Sequence, residues 1–135
     1  MPLLTWSNDL SVKIYSIDEQ HKNLIALINN LYDAMGAGKG QAALGAILKE
    51  LVDYTTTHFA NEEKLMRAQA YPGYLAHKKE HDNLAAKVNT LQNDFSSGKP
   101  VMTVEVMRFL KDWLTSHIKG TDQKYSPFLI GKGVT

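Results

Sequence analysis

Two histidines four residues apart, His77 and His81, are the part of this sequence best suited to chemistry. On a helix, residues at that spacing point the same way, with about 5–6 Å between their Cβ atoms. Imidazole is the commonest protein ligand for a transition metal. The pair therefore indicates a metal clamp, although two ordinary surface histidines on a helix would give the same pattern.

The rest of the histidine inventory points to one shared site. The chain has five histidines, and all of them fall on apolar stripes that should be buried. A buried charge is costly unless it is paired. Two alternatives remain open, a solvated position at the edge of a stripe and a hydrogen-bonded network without metal. The candidate ligands are His21, His58, Glu62, His77, His81, His117 and Asp122.

Four amphipathic segments must position these side chains. Their apolar residues recur at steps of three and four, as in a helix with one buried face. The segments cover about 17–36, 41–67, 73–95 and 102–119. Ser16 and Glu19 have the spacing of a capping box for the first helix, and Gly120 is placed to end the fourth. Short breaks between the segments predict an all-α, antiparallel, up-down-up-down four-helix bundle.

The two ends of the chain lie outside this helical pattern. Residues 1–15 have no sustained period, and we expect them to form an N-terminal arm lying on the bundle. Residues 121–135 form a C-terminal tail that we expect to fold back over one end of the bundle. No linker or internal repeat interrupts the chain, so a single domain over 1–135 is expected.

The antiparallel order brings the candidate ligands to the same height. His21 lies near the start of the first helix and His58 near the end of the second. His77 opens the third helix, and His117 closes the fourth. The pattern therefore predicts a metal site in the core at one end of the bundle, with an ordinary apolar core at the other.

Five imidazoles and two carboxylates are too many ligands for one first-row metal, but they suit two. If two six-coordinate cations share Glu62, Asp122 and one oxide or hydroxide, a single position stays open, on the cation with two histidines. Nitrogen and oxygen ligands without sulfur suit iron, and also manganese or zinc. Because only two of the candidate ligands are anionic, they stabilise a high oxidation state of the metal less. Reversible binding of a ligand is therefore favoured over strong oxidation.

The composition excludes several other classes of protein. The absence of cysteine excludes disulfides, thiolate zinc sites, iron–sulfur clusters and a cysteine nucleophile. A formal net charge of +1 gives no footprint for nucleic acid or an anionic membrane. No signal peptide or membrane span is visible. We therefore expect a cytoplasmic monomer without membrane insertion.

The spacing of the candidate ligands resembles that of the hemerythrin family, and the whole chain takes part. The family signature is an isolated histidine in the first helix, followed by H-x-x-x-E, H-x-x-x-H and H-x-x-x-x-D. This chain matches it in residue type, order and spacing with His21, His58 to Glu62, His77 to His81, and His117 to Asp122. Trp6 and the run from Ile17 to His21 are similar to single-domain bacterial hemerythrins.

The resemblance implies two iron ions bridged by oxide or hydroxide and by Glu62 and Asp122. It implies reversible dioxygen binding, for storage, transport or delivery to an oxygen-consuming partner, with no catalytic residue. The histidines of the third and fourth helices would hold one iron. The other iron would be held by His21 and His58 and would carry the open position.

The resemblance also implies an apolar pocket for dioxygen beside the metals. Each residue of its lining fits a plain bundle core equally well. The lining would be Leu24, Phe59, Trp113, Leu114 and Ile118. Glu63 lies off the stripe and is expected to be solvated, and core packing is favoured over contact with a ligand for Tyr54 and Tyr125.

Three alternatives to an oxygen carrier belong to other functional classes. The first is a sensor of oxygen, nitric oxide or redox state, which the absence of a fused signalling domain disfavours. The second is a di-iron enzyme, such as a peroxidase or an iron-handling repair protein, which an open coordination position would allow. The third is a structural bundle that holds zinc or no metal.

Overall fold

The computed structural model describes residues 3–38, 41–99 and 103–134, and the described residues are helical with no strand. A short 3₁₀ turn, Asn8–Leu10, lies in the N-terminal arm. The longer elements are α1 (Tyr15–Gly36), α2 (Gln41–Ala68), α3 (Tyr74–Ser96), α4 (Val104–Ser116), a π-helical turn (His117–Asp122) and α5 (Gln123–Gly131). In this bundle α1 packs on α2, α2 on α3 and α1 on α4. The predicted all-α four-helix bundle is confirmed.

Two apolar clusters hold the bundle together. The larger one runs through the four helices and includes the fully buried Leu31 and Met107; burying such a side chain is worth about 1.5–3 kcal/mol. The smaller one joins the arm, α1, α2 and α5 at the end that carries the candidate ligands. Its members are Val12, Ile14, Ile17, Met66, Tyr125 and Leu129.

The N-terminal arm lies on the bundle, as expected, over the part of it that is described. The backbone N–H of Leu4 donates to Asn29 Oδ1 over 3.0 Å, and Asn29 Nδ2 donates back to the Leu4 carbonyl over 2.7 Å. Leu10, Val12 and Ile14 are buried. The arm therefore contributes to the core.

The predicted capping box at the start of the first helix is wrong. α1 begins at Tyr15 after an extended Ile14, and no side chain caps it, so Ser16 already lies inside the helix. The first turn is secured by Asp18 instead. Its carboxylate accepts from Ser11 Oγ over 2.6 Å and from the Val12 N–H over 2.8 Å. A negative charge there also suits the positive end of the helix dipole.

The predicted end of the fourth helix at Gly120 is also wrong, since the chain stays helical through it as far as Gly131. Glycine inside a helix costs only about 1 kcal/mol. Burial of Tyr125 and Leu129 against the arm and α2 offsets that cost. The tail is therefore mostly the helix α5, which packs over the end of the bundle. The predicted start at 102 lies outside the described residues, and α4 begins with Thr103 Oγ1 accepting from the Val106 N–H over 3.3 Å.

No helix among the described residues combines the length and the apolar character that a membrane span requires.

We predict that Asp18→Ala detaches the arm. It removes the acceptor of two hydrogen bonds to a charged group, so the free energy of unfolding should fall by about 2–4 kcal/mol. Chemical denaturation measures the loss, and hydrogen exchange should show faster exchange at the Val12 amide. Asp33→Ala, which removes an exposed carboxylate from the same helix, should leave both unchanged. Unaltered protection of Val12 in Asp18→Ala would contradict this role.

Candidate metal centre

The candidate ligands meet at one end of the bundle, where none is more than 3% exposed. α1 supplies His21, α2 supplies His58 and Glu62, and α3 supplies His77 and His81. The π-helical turn supplies the remaining histidine and carboxylate. Apolar neighbours on the same helices, such as Ile17, Leu24 and Leu84, turn these faces inward.

The donor atoms form two groups that share one carboxylate. Within each group, one donor atom from every residue lies within 4.8 Å of the others. The larger group is Glu62, His77, His81, His117 and Asp122. The smaller group is His21, His58 and Glu62. The arrangement offers two adjacent positions for a cation.

Both carboxylates lie between the two groups of histidines. Asp122 Oδ1 is 2.9 Å from His77 Nε2 and 3.1 Å from His117 Nε2, whereas Asp122 Oδ2 is 3.1 Å from His21 Nε2. Glu62 Oε1 is 2.7 Å from His58 Nε2 and 3.7 Å from His81 Nε2. Each carboxylate therefore faces ring nitrogens of both groups.

Many of these buried polar atoms have no hydrogen-bond partner. They are both ring nitrogens of His21 and of His77, Glu62 Oε1, and both oxygens of Asp122. Leaving a buried polar group unsatisfied costs about 1–3 kcal/mol. Coordinated cations would satisfy the carboxylate oxygens and one ring nitrogen of each histidine, and a donor set of imidazole and carboxylate fits first-row metals such as iron. A hydrogen-bonded network without metal would leave them unsatisfied.

The π-helical turn explains how His117 and Asp122 act together. On an α-helix, residues five apart lie about 140° apart around the axis, so they would face different neighbours. The wider turn over His117–Asp122 brings both side chains to one side, where His117 Nε2 and Asp122 Oδ1 are 3.1 Å apart. Such π-bulges are frequent at functional sites.

The outward-facing Nδ1 atoms of three candidate ligands meet polar side chains. The contacts are His58 with Gln20 Oε1 at 2.6 Å, His81 with Glu63 Oε2 at 3.0 Å, and His117 with Glu80 Oε1 at 3.0 Å. Metal-ligating histidines usually donate their second N–H in this way, which fixes the tautomer and the orientation of the ring. The inner Nε2 atoms are then free to bind a cation.

These outer contacts correct part of the sequence interpretation. Glu63 is not simply solvated, because its side chain is only 16% exposed and contacts His81. Tyr125 does more than pack, since its hydroxyl donates to Glu62 Oε2 over 2.5 Å. Tyr54 instead accepts from Asn23 Nδ2, at 3.0 Å.

Sequence reasoning missed Gln20 and Glu80 altogether. The available signal was their position, since each directly precedes a candidate ligand histidine in the chain. That signal is weak, because the side chain before a ligand points about 100° away from it around the helix. Both residues belong to the site because each contacts a histidine that is distant in sequence.

The electrostatics of the cluster keep its ligands in a mixture of charge states without metal. Burial lowers the pKa of His81 to about 3, so its imidazole is neutral, which is the ligating form. Burial opposes charge on His117 as well, but the Asp122 carboxylate outweighs it and raises the pKa of His117 to about 9. Asp122 is fully buried, yet its contacts with His117, His21 and His77 hold its pKa well below the usual range. A bound cation would take the place of the proton on His117.

An inner cavity of about 20 Å³ lies beside the ligands, which is room for one water-sized molecule. Four of the five residues predicted to line an apolar pocket line it, namely Leu24, Phe59, Trp113 and Leu114. Ile118 is fully buried in the apolar core and is not part of the lining. Phe59 stacks on the His81 ring at 3.8 Å and Trp113 on the His117 ring at 4.4 Å.

Comparison with known proteins agrees with this geometry. Residues 12–129 match the family model described as the hemerythrin HHE cation binding domain. The chain is 39% identical over 126 residues to a bacteriohemerythrin of Stenotrophomonas maltophilia, covering 93% of this chain and 81% of that protein. It is 36% identical over 121 residues to myohemerythrin-1 of Phascolopsis gouldii, covering 89% of each. A crystal structure of wild-type hemerythrin superposes with a TM-score of 0.90 at 34% identity, covering 94% of this chain and 98% of that one.

We predict that His77→Ala loses bound metal. It removes one donor and the ring nitrogen that faces Asp122 Oδ1 at 2.9 Å, so the bundle should also lose about 1–3 kcal/mol of stability. Metal content per chain by elemental analysis and thermal unfolding measure the two effects. Lys78→Ala, a neighbouring change that removes an ion pair with Asp82, should keep the full metal content. Full metal occupancy in His77→Ala would exclude this histidine as a ligand.

We also predict that Glu80→Ala weakens metal binding without abolishing it. The change removes the acceptor for His117 Nδ1, and loss of such a contact lowers metal affinity by about 10–100-fold. Competition with a chelator measures the affinity. The adjacent exposed residue supplies a matched control, Lys79→Ala, whose affinity should equal that of the wild type. Equal affinities in the two variants would show that the Glu80 contact has no influence on the metal.

Proposed function

The chain belongs to the hemerythrin family, and on that premise we propose that it binds dioxygen reversibly at a centre of two iron ions. The observation that carries this proposal is the division of the buried donor atoms into two groups that share Glu62. The role would be storage, transport or delivery of oxygen to an oxygen-consuming partner. We propose that the protein is a cytoplasmic monomer. Its net charge of +1 attracts neither nucleic acid nor anionic lipid.

The three histidines of the larger group would hold one iron, and the two of the smaller group the other. Support comes from their spacing: His81 Nε2 and His117 Nε2 are 3.1 Å apart, and the rings of His77 and His81 are 4.5 Å apart. The rings of His21 and His58, at 4.6 Å, form the separate pair. Two cations with unequal numbers of histidines follow from this division.

Asp122 and Glu62 would bridge the two irons, together with an oxide or hydroxide. Asp122 already presents one oxygen to each group of histidines. Glu62 Oε1 lies between His58 and His81, while Oε2 accepts from Tyr125. Because each carboxylate oxygen carries two lone pairs, Glu62 Oε2 can keep the Tyr125 hydrogen bond while it binds a metal.

The iron with two histidines would keep an open position, and bound iron would supply the electrons that dioxygen takes up. Leu24, one helical turn after His21, and Phe59, whose ring centre lies 6.0 Å from that of His58, both line the inner cavity, so apolar side chains lie near this pair of histidines. The hydroxyl of Thr55, which also lines the cavity, is committed to the Leu51 carbonyl at 2.7 Å. Dry walls disfavour the escape of a charged oxygen species. They favour a carrier over an enzyme that cleaves the O–O bond.

The optical spectrum of the reduced, iron-loaded protein tests the proposal. We expect a visible charge-transfer band to appear in air and to vanish when oxygen is removed, through repeated cycles. Irreversible bleaching or turnover of peroxide would contradict the carrier and favour a di-iron enzyme. A protein that retains no iron after loading would overturn the proposed centre as a whole.

We predict that Leu114→Ala keeps both irons but speeds autoxidation several-fold. Leu114 lines the inner cavity, so its truncation should admit water beside the open position. Leu48→Ala makes the same truncation in the same core, away from that cavity, and both changes should cost about 2–5 kcal/mol of stability. Decay of the oxygenated spectrum measures the rate. Equal autoxidation rates in the two variants would show that Leu114 does not protect the oxygen site.

A further inference from the structure

A surface groove of about 710 Å³ lies between α3 and α4. Leu91, Val106 and Phe109 give it apolar walls. The ammonium group of Lys87 lies 4.4 Å from the centre of the Phe109 ring, so one lysine and one aromatic ring span the groove. Charged side chains, among them Asp94 and Glu105, also line the groove, but most of its surface is apolar. It opens on a side of the bundle rather than on the end that carries the candidate ligands.

Two side chains belong both to this groove and to the inner cavity. Val88 of α3 and Leu110 of α4 line each of the two spaces. They are 4% and 5% exposed, so each presents a little surface to the groove and the rest to the interior. A layer one side chain thick therefore separates the groove from the inner cavity.

Two aromatic side chains connect the inner cavity to the candidate ligands. Phe59 lines it and lies flat on the His81 ring at 3.8 Å. Trp113 lines it as well and stacks on the His117 ring at 4.4 Å. An apolar path therefore runs from the groove, past Val88 and Leu110, through the inner cavity to the aromatic rings that stack on His81 and His117.

Other approaches to the ligands pass polar or packed groups. Gln20 contacts His58 and also accepts from Asn61 at 3.2 Å. Glu80 contacts His117 and accepts from Thr121 at 2.8 Å. The fully buried Tyr125 covers His77, with the two rings 5.4 Å apart. An apolar diatomic molecule would have to displace these contacts, whereas at the partition it meets only the apolar side chains of Val88 and Leu110.

We propose that dioxygen enters and leaves through the groove between α3 and α4, and that Val88 and Leu110 form the gate. This inference rests on the proposed function, since it concerns the route to the same site. The apolar walls admit a small neutral molecule and oppose ions, which lose hydration there without compensation. A gate of this kind changes how fast oxygen binds and leaves, but not the affinity.

Rate measurements on the iron-loaded protein test the gate. In Val88→Ala, the association and dissociation rate constants for oxygen, from flash photolysis and stopped flow, should rise together by a factor of about three to ten. The dissociation constant should stay within about twofold, because a gate acts on both directions equally. Val52→Ala makes the same truncation at an equally buried core valine and should leave the rates unchanged. Unchanged rates in Val88→Ala, or an equal rise in Val52→Ala, would overturn the gate.

A larger side chain gives the opposite test. Val88→Ile adds one methylene, a change most bundles tolerate, and should slow both rate constants while Val52→Ile does not. If Val88→Ile binds oxygen as fast as the wild type, the route does not pass Val88.

Xenon supplies a measurement that does not depend on oxygen binding. Xenon occupies dry apolar cavities, so crystals of the iron-loaded protein under xenon pressure should show an atom in the inner cavity. Its exchange with solvent, followed by xenon nuclear magnetic resonance, should be faster in Val88→Ala than in Val52→Ala. If the wild type shows no reversible oxygen band, the proposed function fails while the xenon result still tests the route. Normal oxygen binding with equal xenon exchange in both variants would overturn the route alone.

Discussion

The rest of this structure depends on the burial of charge in a small apolar core. Glu62 and Asp122 are removed from water and face imidazoles from α1, α2, α3 and the π-helical turn. Such an arrangement is stable only when each charge has a partner, because an isolated buried ion costs many times what one apolar side chain contributes. Without metal, the Asp122 carboxylate raises the pKa of His117 to about 9 and raises that of His21 as well, so protonated imidazole offsets part of the buried charge. Several polar atoms still lack a hydrogen-bond partner. Two bound cations would balance the buried charge and satisfy most of these atoms, which would link metal binding to folding.

The polar residues around the cluster orient the buried imidazoles. Gln20, Glu63 and Glu80 each contact the outward-facing nitrogen of a candidate ligand histidine. They hold the imidazole rings with one nitrogen inward, as second-layer contacts around metals generally do. On the apolar side, the ring of Phe59 stacks on His81 and that of Trp113 on His117. The ligands are thus fixed by packing on one side and by hydrogen bonds on the other.

The bundle, the four stripes and the convergence of the candidate ligands were predictable because each rests on a local period in the sequence. What failed was decided by distant contacts. Gly120 carries a local stop signal, but Tyr125 and Leu129 pack in a cluster with Met66 of α2 and with residues of the arm and α1 more than a hundred positions upstream. Their burial keeps the chain helical. Ser16 carries a local start signal, but Ser11 and Val12 fold back onto Asp18. Glu63 looked solvated because its contact is with a histidine of another helix.

The hydrogen bonds between the N-terminal arm and α5 also determine when the protein can finish folding. Gln123 donates to the Ser11 carbonyl and Ser126 to that of Val12, across sequence separations of 112 and 114 residues. Contacts of such high order form late, since the whole intervening loop must first be closed. During synthesis the early helices can pair while Asp122 and Tyr125 are still inside the ribosome. The candidate ligands are therefore all available only after Asp122 has emerged, and a chain that ends before Asp122 would present an incomplete cluster.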